Sequence, residues 1–346
     1  MKKFLKYEFK KNLWALLIIS LCCALPYLLL TATSKMTWES TSWVDGTKYT
    51  YVNSPGTWLV YVELLALCFG VPVATYRFKM KKRSVDCYYS LPIKKEKLYF
   101  IKTLVGLCLV LVPFTISFWG GFLMLLIRPG NPFKMGWFVP QYLGLLFFAI
   151  CLYGFNAFTF TRANTVGDGI VFMVAYTFVA LVVSATGLMV INLINHVWDW
   201  NVFEYLITPM GSIIFNIKME ALIKGDLAKW NVCMFLIPAI FGAIGYFFLF
   251  FSLRYDKGEN AEQVSDSWFG YRMLIPVYAA CFTGYLGAFG ELILFGFLFV
   301  SIVVSTFVAT MVYRRKFLFP AKNLIMIGVG LGVGIVLAVI IAAVTG

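Results

Sequence analysis

The feature that most constrains this chain is a recurrence of apolar stretches, each close to the length of a bilayer crossing and almost free of charge. A helix rises about 1.5 Å per residue, so roughly 20 apolar residues cross a hydrocarbon layer about 30 Å thick. Nine stretches bounded by charge, proline or polar clusters qualify: Leu13 to Thr33, Thr57 to Tyr76, Tyr99 to Ile127, Phe138 to Phe160, Gly169 to Leu193, Asn231 to Leu253, Met273 to Phe289, Leu292 to Tyr313 and Ala321 to Val344. The seventh is the shortest and carries Pro276 and two glycines. Across the 346 residues, 61% are hydrophobic and only 13% charged, about half the charged share of soluble domains. A soluble fold cannot hide that much apolar surface. Disorder, a collagen-like repeat and a small disulfide scaffold would need a polar, glycine-periodic or cysteine-dense chain. The expected fold class is an all-α integral membrane protein, a polytopic helical bundle of about nine transmembrane helices.

The charge balance then reads as orientation. The formal net charge is +13, which in a soluble protein would suggest a nucleic-acid partner. With a cytoplasmic amino terminus, 22 of the 29 Lys and Arg fall in inside segments, nine of them between Arg77 and Lys102. The other seven are Lys35, Lys48, Arg128, Lys134, Lys218, Lys224 and Lys229. That asymmetry follows the positive-inside rule, and nucleic-acid binding is not expected. Trp58, Trp137, Trp198, Trp200 and Trp230 lie at expected outer boundaries and Trp14 at an inner one, where amphipathic rings settle. The first span is too long for a signal-peptide core and is expected to be retained. An odd number of spans places Gly346 outside.

Several connecting segments carry more than orientation requires. Met1 to Asn12 alternates Lys with Phe4, Leu5, Tyr7 and Phe9, which gives either an in-plane amphipathic helix or a plain positive flank. The loop Arg77 to Lys97 sets Asp86, Cys87, Tyr88, Tyr89, Leu91, Pro92 and Ile93 among basic residues, with Lys94 and Lys95 following. Aromatic and aliphatic groups there read as a docking surface, or as tyrosines resting in lipid headgroups. Pro92 can open the next helix. The outer segment Asn195 to Trp230 contains Val202 to Ile217, too short to cross yet too apolar for a free loop. It reads as a re-entrant or interfacial helix pair broken near Pro209 and Gly211, with Tyr205 in its first half. Ser34 to Gly56 is polar and Thr-rich, and is read as a small cap or a mobile loop. Arg254 to Arg272 is a second inside patch of mixed sign, and Gly328, Gly330, Gly332 and Gly334 form two interleaved small-xxx-small pairs in the last span.

Catalytic constellations are absent from the sequence. There is no His-Glu-x-x-His, no Gly-x-Ser-x-Gly, no paired intramembrane aspartate and no phosphate-binding loop, so the chain is not expected to be an enzyme. His196 is the only histidine, and the eight cysteines show neither metal spacing nor an outer pair, so no metal or catalytic residue is assigned. Acidic residues inside spans are rare. Glu63 lies near the outer end of the second span and Glu291 at the start of the eighth, and each is read as a pathway contact or a structural hydrogen-bonding group.

Taken together, the basic amphipathic start, the stretch Asp86-Cys87-Tyr88-Tyr89-Ser90-Leu91-Pro92-Ile93 followed by Lys94, Lys95 and Lys102, and the long outer insertion before the sixth span resemble the bacterial ABC-2-type (ABCG-like fold) permeases. These are membrane subunits of ATP-binding-cassette exporters. The resemblance implies a coupling helix within Met80 to Lys97 that rests in a groove of a separate ATPase, and outer helices over Val202 to Ile217. It covers residues 1–253 as a six-span core, and residues 254–346 add a cytoplasmic loop and further spans. Lys257-Gly258-Glu259-Asn260-Ala261-Glu262 resembles a charged signature of some of these permeases, with Glu262 standing where a glycine is expected. The resemblance implies no cofactor on this chain, ATP and Mg on the partner ATPase, a second permease as homodimer or related chain, a bacterial cell membrane location, and an amphipathic cargo such as a peptide, antibiotic or lipid. Two other readings stand beside it: a non-transporting membrane protein for immunity, sensing or assembly, and an ion-driven secondary transporter.

Overall fold

The computed structural model describes residues 2–33, 38–44, 47–53, 57–127, 135–177, 179, 232–255, 258–265, 267–286, 292–314 and 321–345. Helices dominate them: α1 (Lys2–Thr33), α2 (Thr57–Tyr76), α3 (Lys82–Tyr89), α4 (Lys95–Ile127), α5 (Met135–Thr161), α6 (Val166–Thr177), α7 (Val232–Phe251), α8 (Met273–Tyr285), α9 (Leu292–Arg314) and α10 (Ala321–Thr345). Six segments among them are long and apolar enough to cross a membrane: Lys2–Thr33, Leu59–Met80, Lys95–Ile127, Gln141–Thr161, Gly296–Arg314 and Ala321–Ala342. The chain is thus a helical, multi-pass membrane protein. These six coincide with the first four and last two expected spans. The fifth expected span is described as helix only over α6, and the seventh only over the 13 residues of α8. At 1.5 Å per residue α8 covers about 20 Å, short of a bilayer by itself.

The chain divides into two compact units. The first comprises Met1–Arg77, Tyr89–Phe158 and Pro209–Asp256. Within it, α1 packs along α4, and α2 packs on both. No glycine or proline separates the basic amino-terminal residues from the first apolar run, so they form the opening turns of one unbroken helix rather than a separate element. Phe114, Phe118 and Phe122 of α4 pack against Phe138 and Tyr142 of α5 with ring centroids 4.4 to 6.3 Å apart. Phe148 and Phe155 of α5 meet Phe235 and Phe241 of α7 in the same way.

The expected polar cap takes an ordered form. Strands β1 (Trp38–Val44) and β2 (Thr47–Asn53) pair antiparallel in a register that runs from Trp38 opposite Asn53 to Val44 opposite Thr47. This hairpin is a departure from an all-α chain. The sequence between the strands is Asp45-Gly46, a dipeptide common in tight hairpin links, flanked by two β-prone runs.

The second unit comprises Phe78–Tyr88, Thr159–Thr208 and Lys257–Gly346. Its most extensive helix contact joins α8 to α10, with α9 also against α8. Of the four alternating glycines in α10, Gly330 and Gly334 face α8: a Cβ at Gly330 would lie 2.6 Å from the Pro276 carbonyl oxygen, and one at Gly334 would lie 2.8 Å from that of Ala280. Gly328 and Gly332 meet open space. One small-xxx-small pair therefore makes the close approach.

Candidate functional site

The connection between α2 and α4 is built as a helix of its own. After α2 the chain tightens into a 3-10 turn, Arg77–Met80, which buries Phe78, Lys79 and Met80. The Lys79 ammonium, inside the protein, donates to the Thr161 carbonyl. Ser84 and Val85 backbone N–H groups then donate to the Lys81 carbonyl and start α3. Two turns long, α3 seals Val85, which is 1% exposed, and presents Lys82, Arg83, Asp86 and Cys87 outward. A residue at 82 or 83 shares a face with 86 or 87, so the outward face mixes two cations with one carboxylate and a thiol.

The aromatic residues expected to dock are largely engaged within the chain. Tyr88 packs on Phe78 at 4.7 Å between ring centroids. The Tyr89 ring carries the Lys95 ammonium 4.5 Å from its centroid, and its hydroxyl lies 3.4 Å from that of Tyr99. Leu91 and Ile93 are half-buried in the turn that follows, whereas Pro92, Lys94 and Lys95 are exposed. The outward surface of this connection is therefore charged and polar, with its apolar residues fixing its shape.

One ion pair here escaped the sequence reading. Glu8 of α1 and Lys102 of α4 lie 2.8 Å apart with their side chains 0% and 8% exposed. Both sit about two turns inside their helices, so the pair ties the opening turns of α1 to those of α4. Glu8 is the only acidic residue in the first twelve, a visible oddity in a basic run, but its partner is 94 positions away. Lys102 and Lys79, both counted among the loop charges, are thus buried structural cations.

Deeper in the same unit, Glu63 joins a polar cluster that links four helices. The Ser117 hydroxyl of α4 donates to Glu63 Oε2 at 2.6 Å and lies 3.3 Å from the Cys23 carbonyl of α1. Nearby, the Gln141 amide of α5 donates to the Tyr61 hydroxyl at 2.7 Å. Among the described residues, Gln141 Oε1 is buried without a hydrogen-bond partner, and Glu63 Oε1 is buried with none but the neighbouring Cys23 side chain. A buried acceptor left unmade costs about 1 to 3 kcal/mol, and such a cost is commonly retained where a water, ion or ligand group binds. The cluster can hold α1, α2 and α4 together and can accept a donor from a passing molecule. Glu291, Tyr205, Pro209 and Gly211 lie outside the described residues.

In the second unit the mixed-charge patch is tied down. Thr165 caps α6 by accepting the Asp168 N–H at 3.2 Å, and Asp168 accepts the Tyr271 hydroxyl at 2.9 Å. Burial, with Asp168 beside it, raises the Tyr271 phenol above its ordinary pKa. Ser265 donates to the Arg162 carbonyl at 3.0 Å and accepts the Tyr313 hydroxyl on its own carbonyl at 2.9 Å. Glu262 donates its N–H to Asn164 O at 3.0 Å with φ at 66°, in the left-handed region that favours glycine. The position where the resemblance expects glycine has a glycine's backbone and a glutamate's side chain.

The chain matches no family model, no curated protein and no solved structure.

Proposed function

We propose that this chain is the membrane-spanning permease of an ATP-driven exporter of the ABC-2 type, with its ATPase on a separate chain. The observation that carries the reading is α3: a two-turn amphipathic helix, set between two long spans and capped by proline and lysines, whose outward face is charged while Val85 anchors it. An ATPase groove that grips this helix would move α4 directly, because α4 starts six residues after α3 ends. The Glu8 to Lys102 pair would carry that motion to α1. In this reading the amino terminus is cytoplasmic, nine spans cross a bacterial cell membrane, residues 1–253 form the exporting core, and a second permease and a second ATPase complete the transporter. ATP on the ATPases would draw the α3 helices together, and the permease halves would rock between inward and outward openings. The scarcity of charge inside the spans favours an amphipathic cargo, with Glu63 and Gln141 as its polar contacts.

The experiment is co-purification. The tagged full chain, extracted from its own membranes in mild detergent, is expected to carry a soluble ATPase chain and its hydrolysis. Arg83→Glu combined with Asp86→Lys, both exposed, should release that chain without lowering the yield of permease. Purification free of any ATPase, or a double variant that retains it fully, contradicts the proposal.

A further inference from the structure

Within the first unit, a groove of about 710 Å³ opens between the first turns of α4 and the last turns of α7, lined by Glu96, Lys97, Phe100, Tyr246, Phe247, Phe250 and Phe251. That volume lies in the range of small-molecule sites. We propose that it is a resident site for phosphatidylethanolamine, taken from the leaflet that meets the basic α2 to α4 connection. The walls are aromatic: Phe100 faces Phe250 with ring centroids 6.5 Å apart, and Phe247 stacks on Phe251 at 5.7 Å. Phe100, Phe247 and Phe251 are 48%, 63% and 43% exposed, the surface an acyl chain covers. The Tyr246 hydroxyl is already bonded to the Ile150 carbonyl at 2.9 Å, so it leaves the apolar wall unbroken.

The headgroup is chosen by the rim. Glu96 and Lys97 are both exposed in the first turn of α4 and both line the groove, so a carboxylate and an ammonium are offered at its α4 end. A phosphate beside Lys97 and a primary ammonium beside Glu96 satisfy both. Phosphatidylglycerol offers the phosphate alone and sets its charge against Glu96. Phosphatidylcholine offers a cation without N–H donors, so it cannot hydrogen-bond the carboxylate. This assignment is independent of the ATPase reading, since neither the groove nor its rim belongs to the outward face of α3.

The test places benzoylphenylalanine at Phe247 of the full chain in vesicles of equal phosphatidylethanolamine, phosphatidylglycerol and phosphatidylcholine, with adducts identified by mass after irradiation. The phosphatidylethanolamine adduct should exceed each of the others by about three- to fivefold, the range of an exposed charge pair. Glu96→Gln should lower it to the phosphatidylcholine level, and Lys97→Gln should weaken both alike. Adducts in proportion to bulk lipid, a dominant phosphatidylglycerol adduct, or crosslinks to a second copy of the chain overturn the assignment.

Discussion

The most consequential single residue is Glu8, because a buried ion pair holds the first helix to the fourth. Removing one partner strands the other charge in a low-dielectric interior, at a cost of about 3 to 5 kcal/mol, whereas replacing both with apolar groups is often near neutral. Glu8→Ala is therefore expected to lower the thermal unfolding midpoint in detergent sharply, and Glu8→Leu with Lys102→Leu to recover most of the loss. A double variant as unstable as the single one would show that the pair is not what joins the helices. At Glu262 the sign is reversed. A left-handed conformation costs a side-chain-bearing residue roughly 1 to 2 kcal/mol, so Glu262→Gly should stabilise by about 1 kcal/mol, with the Asn164 bond unchanged. A lower midpoint in that variant would show that the glutamate side chain contributes more than its backbone loses. Neither feature follows from the sequence. The oddness of an acid at position 8 is visible there, but the identity of a partner 94 residues away is settled only by helix packing.

At the scale of elements, α8 and α10 show where sequence pattern stops. Glycines at every second position of a helix fall on two opposite faces, so Gly328 with Gly332 and Gly330 with Gly334 are equally good candidates for close contact. Only the second pair lies against α8. Gly330→Ala and Gly334→Ala should each destabilise by about 1 to 3 kcal/mol through overpacking, while Gly328→Ala and Gly332→Ala should be neutral or stabilising by up to about 1 kcal/mol. Equal effects from both pairs, read from unfolding midpoints, would contradict this packing. The long elements were legible because a run of 20 apolar residues has one economical structure. The short ones were legible only in part: the segment Ser34 to Gly56 was read as polar without its strands, and a helix within Met80 to Lys97 was implied only by the resemblance, not by periodicity. That Tyr88 and Tyr89 pack inward on Phe78 and Lys95 was hidden, since a half-buried tyrosine and a docking tyrosine are the same letters in a sequence.

For the whole molecule, six helices among the described residues long and apolar enough to cross a membrane define a multi-pass protein, and nine of its 29 Lys and Arg lie between Arg77 and Lys102. The proposed topology, argued from the distribution of Lys and Arg, puts the α2 to α4 connection inside the cell. Cys87, exposed on α3, reports it directly. A membrane-impermeant maleimide should label Cys87 in inverted vesicles and leave it untouched in intact cells, and the reverse pattern would turn the whole topology over. The central claim, that α3 is gripped by a separate ATPase, is tested most directly by a photoreactive residue at Asp86, irradiated in native membranes. The account predicts one dominant adduct, a soluble chain whose crosslinked peptides belong to a nucleotide-binding ATPase. Adducts to lipid alone, or to no ATPase while Cys87 remains accessible at that surface, would contradict it.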